Sequence, residues 1–159
     1  MNNQYIKNMN EKQLSAIDAV KDGKNIFITG PAGSGKSYVV NTIRKLYGRA
    51  VATTSTTGVS AIQLSGKTIH SWAGIGLGKD KVEKMVKDIK KTKAHSRWKY
   101  TKMLIIDEIS MLSPELFDKL SEIGKQLRGV DKPFGGIQLI LAGDFLQLPV
   151  IDSAKFCFQ

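Results

Sequence analysis

Two short stretches carry the residue types that handle a phosphate and its metal ion. Gly30-Pro31-Ala32-Gly33-Ser34-Gly35-Lys36-Ser37 fits the phosphate-loop pattern G-x-x-x-x-G-K-[ST] at every fixed position. Gly33 and Gly35 let the backbone turn its N–H groups inward with no Cβ in the way. A helix N-terminus directly behind such a loop adds partial positive charge where phosphates sit. Lys36 is placed to reach the β- and γ-phosphates of a nucleoside triphosphate, and the Ser37 hydroxyl to ligate Mg²⁺. The second stretch is Asp107-Glu108, which ends the apolar run Met103-Leu104-Ile105-Ile106. Downstream of a complete phosphate loop, that pair predicts Asp107 in the Mg²⁺ shell and Glu108 as the base that polarises an attacking water. The chemistry is phosphoryl transfer.

These residues need elements to hold them. Asn25 to Thr29 reads as a buried strand entering the loop, and apolar residues at 39, 40, 43, 46 and 47 give the following segment a helical stripe. Further strands are expected near 49–54, 103–107 and 137–142, and a short helix over Val59 to Leu64. Ser113-Pro114 opens a helix with Leu116, Phe117, Leu120, Ile123 and Leu127 inward, closed near Gly129. Buried strands alternating with helices predict an α/β domain, a parallel sheet covered on both faces, with its site at the strand C-termini. Asn10 is a candidate N-cap for a helix with Leu14, Ile17 and Val20 inward. Gln13, three residues on, has two readings: a capping-box side chain, or an amide that reads the donor and acceptor edge of adenine.

Composition bounds the partners. The 159 residues carry 24 basic and 14 acidic side chains, a formal charge of +10, which suits a polyanionic partner and also simple solubility. Residues 79–102 hold nine lysines and one arginine against three acids, +7 of that total; such a run is either a solvated helix face or a further hold on nucleic acid. A single cysteine, Cys157, excludes an intrachain disulfide and fits a reducing, intracellular setting. No apolar run is long enough to span a membrane, and no membrane partner is expected. Thr68, His70, Ser71 and Trp72, followed by Gly74, Gly76 and Gly78, could bond phosphates and stack a base; equally, Trp72 could anchor its loop on the core.

With these residues assembled, the chain resembles the first motor domain of the Pif-type DNA helicases, the 5′-to-3′ branch of superfamily one, a RecA-like P-loop NTPase fold. The resemblance covers about residues 10–150. It runs through Asn10-Glu11-Lys12-Gln13, the phosphate loop, Thr54 to Ala61, Thr68 to Gly76, and Asp107 to Leu112. Its most specific parts are Pro133-Phe134-Gly135-Gly136-Ile137-Gln138-Leu139 and Gly143-Asp144-Phe145-Leu146-Gln147-Leu148-Pro149. It implies that Gln13 reads adenine and that Gln147 senses the γ-phosphate. It also implies that Thr56, Thr57, Gly58, Thr68, His70, Ser71 and Trp72 contact single-stranded DNA. The cofactors implied are ATP and Mg²⁺, and the substrates single-stranded and forked or structured DNA.

The resemblance further implies that the strand at 137–142 lies between the phosphate-loop strand and the Asp107 strand. Two departures stand out: Val150 where a second proline is usual, and Trp72 where Phe is commoner. The later motifs of the family, with the second motor domain and its γ-phosphate arginines, have no counterpart in residues 1–159. The chain is therefore expected to be a monomeric first motor domain, lacking its C-terminal part, whether excised or naturally truncated. The implied location is a nucleus or mitochondrion in a eukaryote, or the replication site in the host cell for a virus. Two other classes remain open: a different ATPase on the same fold, such as a clamp loader or signalling switch, and a non-catalytic nucleic-acid-binding module.

Overall fold

The computed structural model describes residues 3–31 and 33–144. Ala32 of the phosphate loop and Gln147, the expected γ-phosphate sensor, lie outside the described residues. Among the described residues five parallel strands form one sheet: β1 (Ile26–Thr29), β2 (Val51–Ser55), β3 (Lys67–Thr68), β4 (Met103–Asp107) and β5 (Gln138–Gly143). Their order is β1-β5-β4-β2-β3, so the strand expected between the phosphate-loop strand and the Asp107 strand is there.

The register explains why the site gathers at one end. Thr29 pairs with Gly143, and Ser55 pairs with Asp107, so the last residues of β1, β5, β4 and β2 stand together at the C-terminal edge. Each strand then hands over to a helix or turn, where backbone N–H groups and side chains face outward rather than into a ladder. β2 begins at Val51, two residues later than expected, because Gly48 (φ 53°) and the 3-10 turn Gly48–Ala50 come first. β3 was not expected at all. Two residues carry no periodicity, and the strand exists because Lys67 and Thr68 pair with Thr54 and Ser55.

Alternation along β4 and β5 divides the core. Ile105, Ile140 and Ala142 face α1 (Glu11–Lys21) and α2 (Lys36–Tyr47), whose Ile17, Val20, Val39, Val40 and Ile43 are buried against them. Leu104, Ile106 and Leu139 face the opposite layer. That layer is built from α4 (Ile69–Ala73), α5 (Val82–Ile89), α6 (Ala94–Tyr100) and α7 (Pro114–Arg128), with α3 (Gly58–Gln63) at the C-terminal end of β2. The lysine-dense run thus forms two real helices. Its apolar stripe Met85, Val86, Ile89, Ala94 and Trp98 is buried, while its lysines are exposed.

Candidate functional site

Lys36 opens α2 directly behind Gly35, whose φ of 89° is open to glycine at little cost. A Cβ at Gly30 would lie 2.6 Å from Ser34 Oγ, the rotatable end of a short side chain, so it is the φ of 151° that favours glycine here. The Lys36 ammonium donates to the Gly30 carbonyl and, at 2.9 Å, to the Pro31 carbonyl. It therefore folds back over the loop, and a phosphate bound there would compete with these carbonyls for it. Binding must exchange these neutral acceptors for charged ones, which form stronger bonds.

Across from the loop, Asp107 ends β4 and Glu108 follows in a left-handed conformation (φ 54°, ψ 41°). Such a backbone costs of order 1–3 kcal/mol for a residue with a side chain, and here neighbours hold it. The Glu108 N–H donates to Asp107 Oδ1 at 2.9 Å, and Thr56 Oγ1 donates to the Glu108 carbonyl at 2.9 Å. Burial, and then the Asp107 carboxylate, push the Glu108 carboxyl above its ordinary value; Lys36 opposes this and Asp144 adds to it. A more basic carboxylate suits a group that accepts a proton from water. Gly33, Gly35, Lys36, Ser37, Asp107, Glu108, Gly143 and Asp144 line one cleft of about 410 Å³.

The donor set in that cleft is hydroxyl and carboxylate oxygen, which fits Mg²⁺. No group of three or more His, Cys, Asp or Glu side chains gathers among the described residues. Mg²⁺ needs none, because it is commonly held by one or two carboxylates with substrate phosphates and water.

Gln13 satisfies one of its two readings outright. Its Oε1 accepts the Asn10 N–H at 3.0 Å while Asn10 Oδ1 accepts the Gln13 N–H at 2.9 Å, a complete capping box. The other end of the same amide points at the phosphate loop, since a Cβ at Gly35 would lie 2.6 Å from Gln13 Nε2. Gln13 and Lys12 line a second cleft with Phe27, Gly30 and Pro31.

The expected strand contacts divide. Thr57 caps α3 by accepting the Ser60 N–H at 3.3 Å, and Gly58 is exposed beside it. Thr68 caps α4 by accepting the Ser71 N–H at 3.2 Å, and Ser71 is exposed. His70 is half-buried, and burial pushes its imidazole below the usual value. Trp72 corrects the expectation of a base-stacking ring. It is 3% exposed, with its ring centroid 4.7 Å from that of Trp98, so no face is open to a base. The physical reason lies in α6, which clamps the C-terminal end of α4. Arg97 donates to the Trp72 and Ser71 carbonyls at 2.8 and 2.9 Å, and Trp98 Nε1 to the Ala73 carbonyl at 3.0 Å.

Pro133-Phe134-Gly135-Gly136 forms a clasp on α7 rather than a ligand loop. Phe134 is fully buried against Phe117, and its N–H donates to Ser121 Oγ at 3.1 Å. Arg128 donates to the Gly135 carbonyl at 2.8 Å and to the carbonyls of Trp98, Lys99 and Thr101 at the end of α6. Neither Arg97, inside the basic run, nor Arg128, at the end of α7, was singled out from the sequence, since a lone arginine carries no signal there.

The PIF1-like helicase model matches residues 8–156. This chain belongs to the PIF1-like helicase family. It is 46% identical over 152 residues to the ATP-dependent DNA helicase RRM3 of Saccharomyces cerevisiae, a match covering 88% of this chain and 21% of that protein. The crystal structure of the Pif1 helicase from Candida albicans superposes with a TM-score of 0.89 at 45% identity, over 94% of this chain and 36% of that one. A Pif1 helicase from Bacteroides in complex with ADP-AlF3 and ssDNA superposes with a TM-score of 0.73 at 31% identity, over 91% of this chain and 34% of that one. The chain thus spans about a fifth of the yeast relative's length. The sheet and both helical layers are those of the family's RecA-like domain. Among the described residues no helix is long and apolar enough to cross a membrane.

Proposed function

We propose that residues 1–159 are the N-terminal, nucleotide-binding motor domain of an ATP-dependent DNA helicase. In the whole protein, ATP hydrolysis here drives 5′-to-3′ movement on single-stranded DNA and unwinding of forked or structured duplexes. The observation that carries this reading is the cleft in which Lys36, Ser37, Asp107 and Glu108 meet, with Ser60 bonded to the Asp107 carboxylate and Thr56 to the Glu108 carbonyl. Gly30 to Ser37, Pro31 and Ala32 included, would cradle the phosphates, and Ser37 and Asp107 would hold Mg²⁺. Bound there, the ion would neutralise charge on the β- and γ-phosphates. Lys36 would leave the loop carbonyls for those phosphates, Gln13 would present its amide to adenine, and Glu108 would take the proton from the attacking water. Gln147 would report the γ-phosphate to the strand.

Thr56, Thr57, Gly58, Thr68, His70 and Ser71 would form the single-strand surface, and Trp72 would support it from beneath. Its place in the cell would be where such DNA is replicated and repaired: a nucleus or mitochondrion in a eukaryote, or the replication site in a host cell for a virus. The test is an unwinding assay with the full-length protein on forks bearing a 5′ or a 3′ single-stranded tail. Unwinding from the 5′ tail that needs ATP and Mg²⁺ and is abolished by Lys36→Ala supports the reading. ATP-independent unwinding, or equal unwinding in that variant, overturns it.

A further inference from the structure

The Asp107 carboxylate is held by two donors from different parts of the chain. Oδ1 accepts the Glu108 N–H at 2.9 Å, its own neighbour, while Oδ2 accepts the Ser60 hydroxyl at 3.1 Å. Ser60 stands on α3, the helix whose N-terminus presents Thr57 and Gly58. The same segment is tied to the carboxylate pair through the backbone. The Thr56 N–H donates to the Asp107 carbonyl at 3.2 Å, Thr56 Oγ1 to the Glu108 carbonyl at 2.9 Å, and Ser55 Oγ to the Asp107 carbonyl at 3.4 Å. At its far end α3 is pinned where the Gly66 N–H donates to the carbonyl of buried Ala61 at 2.8 Å. Gly66 packs close to β2, since a Cβ there would meet the Thr53 carbonyl at 2.3 Å. Ser60 is half-buried inside a six-residue helix, where serine is a poorer helix former than alanine.

We propose that Ser60 is a positioning residue for the metal site: its hydroxyl fixes the plane of the Asp107 carboxylate and makes that site respond to the position of α3 under a bound strand. This rests on the reading of Asp107 as a Mg²⁺ ligand. One donor on each oxygen leaves the remaining lone pairs of Asp107 for the cleft. A displacement of α3 by a strand lying on Thr57 and Gly58 rotates or releases Oδ2 first, because Oδ1 is held by the carboxylate's own chain neighbour. By linkage the effect is reciprocal: a metal-bound nucleotide that fixes Asp107 also fixes α3 and so changes strand affinity by the same factor.

The experiment uses the full-length protein and Mn²⁺ as the probe, its affinity read by electron paramagnetic resonance in the presence of ADP. Ser60→Ala is expected to weaken Mn²⁺ by roughly 10–100-fold, the usual effect of removing a hydrogen-bond partner of a metal ligand. Ser60→Thr, which keeps the hydroxyl, is expected to stay within a few-fold of the original. The ratio of single-strand affinities with and without Mg·ADP is expected to fall toward one in Ser60→Ala. Undiminished Mn²⁺ affinity and an unchanged ratio in Ser60→Ala, while Asp107→Asn loses the metal, would overturn the positioning role and leave the metal site standing. Equal losses in Ser60→Ala and Ser60→Thr would also overturn it. Undiminished Mn²⁺ affinity in Asp107→Asn would overturn the metal reading itself, and the role of Ser60 with it.

Discussion

Trp72 and Gln13 show how a side chain's role is set by neighbours far along the chain. The indole of Trp72 lies against Trp98 and is buried with Ile69, Ala73 and Ile75. Removing a buried ring of that size costs about 3–5 kcal/mol through lost burial and the cavity left behind. Trp72→Ala should therefore lower the urea midpoint by a corresponding amount. Intact stability with a loss of single-strand affinity would return the ring to the DNA surface. Sequence left both roles open because the partner that covers Trp72 is on α6, inside a run read mainly for its charge. Gln13 is subtler, since its two ends face different tasks. Asn10→Ala breaks the cap but leaves the amide facing Gly35, and should cost about 1 kcal/mol of stability. Gln13→Ala breaks both. It alone should lose preference for ATP over other nucleoside triphosphates, by the roughly 2–10-fold that corresponds to one neutral hydrogen bond of about 0.5–1.5 kcal/mol. Equal base preference in the two variants would leave Gln13 as a cap only. By contrast, the meeting of Lys36, Ser37, Asp107 and Glu108 in one cleft was legible at once, because loop and strand end are local patterns.

At the level of elements, what the sequence conveyed well was whatever repeats with a period. The stripes of α2, α5 and α7 and the apolar runs of β1, β4 and β5 all appear where spacing placed them, within two residues at their ends. What it could not convey was made by contact between elements. The Pro133–Gly136 clasp is a clear case: as a motif it marks the family, yet its physical work is to lock α7 to α6 and to the start of β5. A Cβ on Gly135 would meet the Gly124 carbonyl at 2.3 Å and Arg128 Cδ at 2.7 Å, and its φ is +62°. Gly129, at φ +65°, has nothing within 4 Å of such an atom. Gly129→Ala should then cost about 1–2 kcal/mol, the left-handed backbone penalty alone. Gly135→Ala should cost that and a further 1–3 kcal/mol or so for overpacking against backbone that cannot yield. Thermal melting of the two variants side by side decides this, and equal shifts would mean the clasp can relax.

For the whole molecule, the central matter is how much of a motor residues 1–159 can be. Phosphoryl transfer needs the charge on the transferring group neutralised from several sides, and little covalent help. In the proposed reading Lys36, with Mg²⁺ held by Ser37 and Asp107, would cover one side of the cleft described above. An arginine reaching the γ-phosphate from the other side is typically worth about 10³–10⁵ in rate. An open cleft also admits water, which weakens every charge in it. Steady-state ATP hydrolysis, with and without single-stranded DNA, should therefore be compared between residues 1–159 alone and a chain that includes a second motor domain. The proposed division of labour predicts weak ATP·Mg²⁺ binding and barely measurable turnover in the short chain, indifferent to DNA, and brisk DNA-stimulated turnover in the long one. Brisk, DNA-stimulated hydrolysis by residues 1–159 alone would contradict it.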